Sequence, residues 1–116
     1  MTLGSGPSFP RKFRLRKSSE FETVLRKGRR LNSSHYVIYC HRNSFGYPRL
    51  GTIVSAKRCG GAVKRNRIKR VLREVFRLNK HIFDSYDVVV LAKGDSHKLD
   101  LETATDDIGK LFERLS

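Results

Sequence analysis

The chain predicts a mixed α+β domain, and three patterns carry that expectation. Residues 62–79 place Ile68, Val71, Leu72, Val75 and Phe76 at i, i+3, i+4, i+7 and i+8, the apolar stripe of one helix face. Val88-Val89-Val90-Leu91-Ala92 is an unbroken apolar run, which suits a strand covered on both faces. Residues 35–40, His-Tyr-Val-Ile-Tyr-Cys, are aromatic and β-branched, the composition of another strand. Strand, helix and strand in that order imply a crossover onto one sheet.

The remaining elements follow in chain order. Residues 1–10 carry Gly4, Gly6, Pro7 and Pro10 and read as a flexible start, leaving 11–116 as a single domain. Ser19 and Glu22 have capping-box spacing, with Phe21, Val24 and Leu25 following at helical intervals, so a first helix is expected over about 18–28. Gly28 suits a left-handed stop. Asn43 to Pro48 is turn chemistry, and Leu50 to Val54 reads as a returning strand. A further short strand is expected before Gly60-Gly61, which break the chain ahead of the long helix. Leu101, Ile108, Leu111, Phe112 and Leu115 outline a closing helix, weakened by Gly109.

Charge narrows the function. The 116 residues hold 25 Lys and Arg against 11 Asp and Glu, a formal net charge of +14. Such a chain repels itself, and a polyanion offsets that cost by releasing its condensed counterions. Residues 11–30 have a net charge of +7 and residues 57–80 of +9, whereas residues 81–116 have −4. Two segments therefore carry the expected nucleic-acid surface, with the C-terminal third facing away. No run reaches the ~18 apolar residues of a membrane span, and no secretion signal is recognised, so a cytoplasmic protein with Cys40 and Cys59 as free thiols is expected.

The densest cationic stretch is Lys64-Arg65-Asn66-Arg67-Ile68-Lys69-Arg70, at the start of the long helix. Cations there oppose the positive end of the helix dipole, and a local cost of this kind marks a functional site. Asn66, Arg70, Arg73 and Arg77 fall opposite the apolar stripe, so one face can rest on a sheet while the other meets phosphates.

With these residues in view, the chain resembles the bacterial ribonuclease P protein family over about residues 11–115. The resemblance rests on the run from Arg49 through Arg58, on Gly61-Ala62-Val63 with the Arg-Asn-Arg core and Ile68-Lys69-Arg70, and on Leu72-Arg73-Glu74 with Phe76-Arg77. Arg14-Leu15, Glu20-Phe21 and Tyr86 to Val90 also fit. The resemblance implies an α/β sandwich in the order α-β-β-β-α-β-α, with about four mostly antiparallel strands and a left-handed β–α–β crossover. It implies a subunit of an endoribonuclease whose catalytic part is RNA, with one protein per RNA. The enzyme removes the 5′ leader of precursor tRNA. Lys64, Arg65, Asn66, Arg67, Lys69, Arg70 and Arg73 would bind the catalytic RNA. Phe21, Tyr39, Ser55 and Lys57 would line a cleft for the leader. The protein itself would hold no cofactor, with Mg2+ mainly on the RNA. Phe21 also lies on the apolar stripe of the first helix, so core packing competes with a stacking role. Leu25 stands where some members have an aromatic, Ala56 replaces a lysine, and Gly61 stands where many have asparagine.

The competing functions are a ribosomal or other structural RNA-binding protein and a stand-alone nuclease. The four histidines and two cysteines lack zinc-site spacing. Asp84, Asp87, Asp106 and Asp107 read as solvated turn and helix residues rather than as a metal nuclease site. Gly4 and Gly6 have no strand and helix to make a phosphate loop.

Overall fold

A computed structural model describes residues 9–115. A 3-10 turn at Arg11–Phe13 leads into α1 (Ser18–Lys27), β1 (Arg29–Asn32), β2 (Tyr36–Arg42) and β3 (Arg49–Ile53). Two short helices, α2 (Ala56–Cys59) and α4 (Lys80–Phe83), flank the long α3 (Ala62–Leu78). Then come β4 (Tyr86–Ala92), a 3-10 turn at Gly94–Lys98, and α5 (Leu101–Glu113). The four strands form one sheet in the order β1-β2-β4-β3. β1–β2 and β2–β4 are antiparallel, while β3 and β4 run parallel.

Strand alternation sorts the core into two faces. Tyr36, Ile38 and Cys40 of β2, with Val88, Val90 and Ala92 of β4, join Ile68, Leu72, Val75 and Phe76 of α3 and Ile108, Leu111 and Phe112 of α5. The opposite face of β4 carries Val89, which packs with Val24 of α1 and with Leu15. The sheet thus lies between α1 on one side and α3 with α5 on the other. Phe76 stacks on Phe83 at 4.0 Å between ring centroids, and Phe112 meets Phe83 edge-on at 5.0 Å.

Several expectations change. The extra strand is β1, not a segment before Gly60-Gly61, where the chain instead forms α2. Only Leu31 of β1 is buried, so this edge strand carries no hydrophobic alternation to read. The returning strand does not pair with its predecessor, because β4 lies between β2 and β3. The α1 cap is made by Glu20, not by Ser19 with Glu22. Its Oε1 accepts the backbone N–H groups of Lys17 at 3.0 Å and Arg16 at 2.9 Å. Gly28 is extended, at φ −76°, so it is not a left-handed stop. It is needed for space: a Cβ there would overlap the Val24 carbonyl oxygen and crowd the Cys40 carbonyl oxygen of β2 at 3.1 Å. The flexible start is expected over residues 1–10. Residues 1–8 lie outside the described part, and Phe9 is buried against Phe13.

Candidate nucleic-acid interface

α3 keeps its apolar stripe under the molecule and its cations outside. Ile68, Leu72, Val75 and Phe76 are buried, whereas Lys64, Asn66, Arg67 and Arg70 are exposed. Gly60, at φ +89°, turns the chain sharply between α2 and α3. No acidic residue stands in the first turn of α3. The single carboxylate of the helix, Glu74, is taken by Arg77 at 2.7 Å, and that pairing lowers the Glu74 pKa. Among the described residues, the side chains of Lys64, Asn66, Lys69 and Arg70 form no hydrogen bond or salt bridge within the chain. A row of free cations with no internal counter-charge is suited to phosphates.

The two arginines of the Arg-Asn-Arg core are partly engaged. Arg65 Nε donates to the Gly60 carbonyl at 3.2 Å, closing the loop that starts the helix. Arg67 donates from Nε to the His97 carbonyl at 2.9 Å and from Nη2 to the Leu99 carbonyl at 3.3 Å. Arg67 therefore ties α3 to the connection between β4 and α5, with three of its five N–H donors still unused.

On the other face of the sheet, Phe21 and Tyr39 share one apolar cluster. Both are half-buried and pack with Ile53 around Leu15, Val24 and Val89. Phe21 rests on the backbone of β3 at Gly51. Phe21 packs on the sheet, as core packing expects, and the residue stays partly exposed. Leu25 is exposed beside this face, and its position lacks an aromatic ring.

Ser55 and Lys57 are not part of a strand bordering this face. β3 ends at Ile53, and Ser55 caps α2 by accepting the Arg58 N–H at 3.2 Å. Lys57 projects from α2 as an exposed cation. A four-residue helical turn replaces the strand because Ser55 offers an N-cap oxygen and Gly60 can leave the turn with positive φ. Arg73 also moves. Its side chain reaches the edge of β3, where it lines a small cavity with Arg14 and Phe21.

The patterns missed one structural device. Arg49 lies between two carboxylates: Nε and Nη2 bind Asp87 at 2.8 and 2.7 Å, and Nη1 binds Glu20 at 3.0 Å. This pins the N-terminus of α1, and with it Phe21, to the β3–β4 edge. The backbone N–H groups of Lys17 and Arg16, followed by Arg49, hold the Glu20 carboxyl at about 2. Asp87 is thus a buried partner rather than a solvated turn residue. Asp107 is likewise engaged, accepting the Ser33 hydroxyl at 2.8 Å. Both cysteines are free and buried, and burial pushes the Cys40 thiol up to about 12. Among the described residues, no group of three or more His, Cys, Asp or Glu is placed to hold a metal, and no helix is long and apolar enough to cross a membrane.

Known proteins match this chain in both sequence and fold. The Ribonuclease P family model matches residues 9–116. This chain belongs to the ribonuclease P protein family. The ribonuclease P protein component of Pectobacterium atrosepticum is 41% identical over 107 residues, covering 92% of this chain and 90% of that protein. The component from Syntrophus aciditrophicus is 39% identical over 102 residues, covering 87% and 85%. The solved Staphylococcus aureus RNase P protein superposes with a TM-score of 0.79 at 28% identity, covering 90% of this chain and 95% of that one. The Thermotoga maritima RNase P protein gives 0.78 at 30% identity, covering 89% and 97%. Membership in the ribonuclease P family gives the chain the role of protein subunit of an endoribonuclease and sets aside the ribosomal and stand-alone nuclease readings.

Proposed function

We propose that this subunit makes two separate RNA contacts. The cationic edge of α3, from Lys64 to Arg70, docks on the catalytic RNA. The half-buried aromatic face of Phe21 and Tyr39 takes the single-stranded 5′ leader of precursor tRNA. Endonucleolytic removal of that leader leaves the mature tRNA 5′ end. The observation that carries the reading is the row of cations without counter-charge on a helix whose other side buries Ile68, Leu72, Val75 and Phe76. Those cations neutralise phosphates without regard to sequence. Flat aromatic surfaces hold an unpaired strand whose bases vary, which suits a leader of no fixed sequence.

Chemistry belongs to the RNA in this reading. One protein serves each RNA, Mg2+ sits mainly on the RNA, and the complex works in the cytoplasm. The test compares precursor binding by the catalytic RNA alone and by the holoenzyme, with leaders of increasing length. The protein should raise affinity for substrates with a leader of several nucleotides and add little for mature tRNA. A protein effect independent of leader length would refute the leader contact.

A further inference from the structure

The edge of β3 holds the least satisfied group in the described part of the molecule. Arg14 Nε is buried and has no hydrogen-bond partner. Its segment is fixed there: Leu15 N–H donates to the Leu50 carbonyl at 2.9 Å, and Arg14 bridges to β3 beside it. The Arg14 guanidinium lies 5.7 Å from the Phe9 ring centroid, a contact that holds a cation without using its N–H donors.

Arg73 approaches the same place from α3. The two arginines line an open cavity of about 80 Å³, together with Leu15, Phe21, Gly51 and Thr52. No acidic residue lines it. Among the described residues, neither arginine forms a salt bridge. Desolvation, and then the nearby charge of Arg14, disfavour the charged form of Arg73. Two like charges lining one cavity, one with a buried unused donor, are what an anion would relieve.

We infer that Arg14 and Arg73 together seat one phosphodiester of the leader strand at the edge of β3, beside the base that lies on Phe21. This rests on the leader contact proposed above. The shared wall decides the source: Phe21 belongs to the aromatic face and Arg73 to the cationic helix, so the cavity joins the two surfaces. An unpaired nucleotide can lay its base on a ring and its phosphate beside it, whereas a duplex keeps its base faces stacked internally. Arg73 then belongs to the leader path rather than to the catalytic-RNA dock.

The test uses holoenzyme carrying wild-type protein, Arg73→Gln or Arg14→Gln. The substrates are precursors in which each leader linkage in turn is a neutral methylphosphonate. With wild-type protein, one linkage should weaken binding by roughly tenfold when neutralised. With either variant that penalty should shrink to within about twofold, while assembly with the catalytic RNA is unchanged. An undiminished penalty in Arg73→Gln, or weakened assembly with an unaltered linkage profile, overturns the seat. Arg73 is exposed at the residue level, so its variant decides the matter even if Arg14→Gln folds poorly. Leader-length dependence in the wild type is read separately, so failure of the seat is distinguishable from failure of the leader contact itself.

Discussion

Phe21 rests on Gly51 so closely that a Cβ at Gly51 would come 2.6 Å from the ring Cζ. The missing side chain on β3 thus sets how deep the aromatic face of the cleft sits. A methyl group there forces the ring outward or moves α1. Gly51→Ala should cost about 1–3 kcal/mol in urea denaturation, the usual range for overpacking. It should also change leader-dependent precursor affinity, because Phe21 is displaced.

Tyr39 shares that face but sits on β2, away from the Gly51 contact. Tyr39→Ala should weaken precursor binding by about 1–3 kcal/mol, the worth of a stacked base, while titration with the catalytic RNA remains nearly unchanged. Loss of both activities would indicate a folding defect, which circular dichroism would reveal.

Arg70 and Arg67 are close in sequence and differ in engagement. Arg70 is unpaired, so Arg70→Ala should lower the salt dependence of catalytic-RNA binding by about one counterion. Arg67 clamps the His97 and Leu99 carbonyls, so Arg67→Ala should also reduce stability by about 1 kcal/mol. Parallel salt titrations and urea melts of the two variants separate the roles.

Acid should loosen α1. Glu20 has its carboxyl held near 2 against an ordinary 4.5, by backbone N–H groups first and Arg49 after them. A depressed folded-state value contributes stability above pH 4.5 and loses it as the pH falls from 4.5 towards 2. Glu20→Gln should therefore be less stable than wild type at pH 7, with the difference closing across that window. Urea midpoints measured at pH 7, 4 and 2.5 would show it.

Arg49 should be costly to remove. Arg49→Met leaves Asp87, 7% exposed, with the Asn43 amide at 2.8 Å as its remaining side-chain partner. Breaking such a pair costs roughly 3–5 kcal/mol. Arg49→Lys keeps the charge but not the fork, so its thermal midpoint should fall between those of wild type and Arg49→Met.

Elements whose signal is local were legible from residue order. The α3 stripe and the cations opposite it follow from a 3.6-residue period, and β4 from five consecutive apolar residues. Phe21 and Tyr39 belong to the family resemblance, and their packing against one shared cluster of Leu15, Val24 and Val89 appears only in the fold. β1 carries no readable strand signal because its other residues, Arg29, Arg30 and Asn32, are polar and exposed and only Leu31 is buried.

The sequence by itself determined a basic α+β domain with a helix that buries one side and charges the other, because periodicity and charge reside in neighbouring residues. Tertiary structure decided which strands adjoin, which arginines remain free and what α1 is anchored to. Arg49 meets Glu20 across 29 positions and Asp87 across 38, and Arg67 meets His97 across 30. Such pairings depend on how the β3–β4 crossover brings distant segments together, and no local pattern of residues encodes that closure.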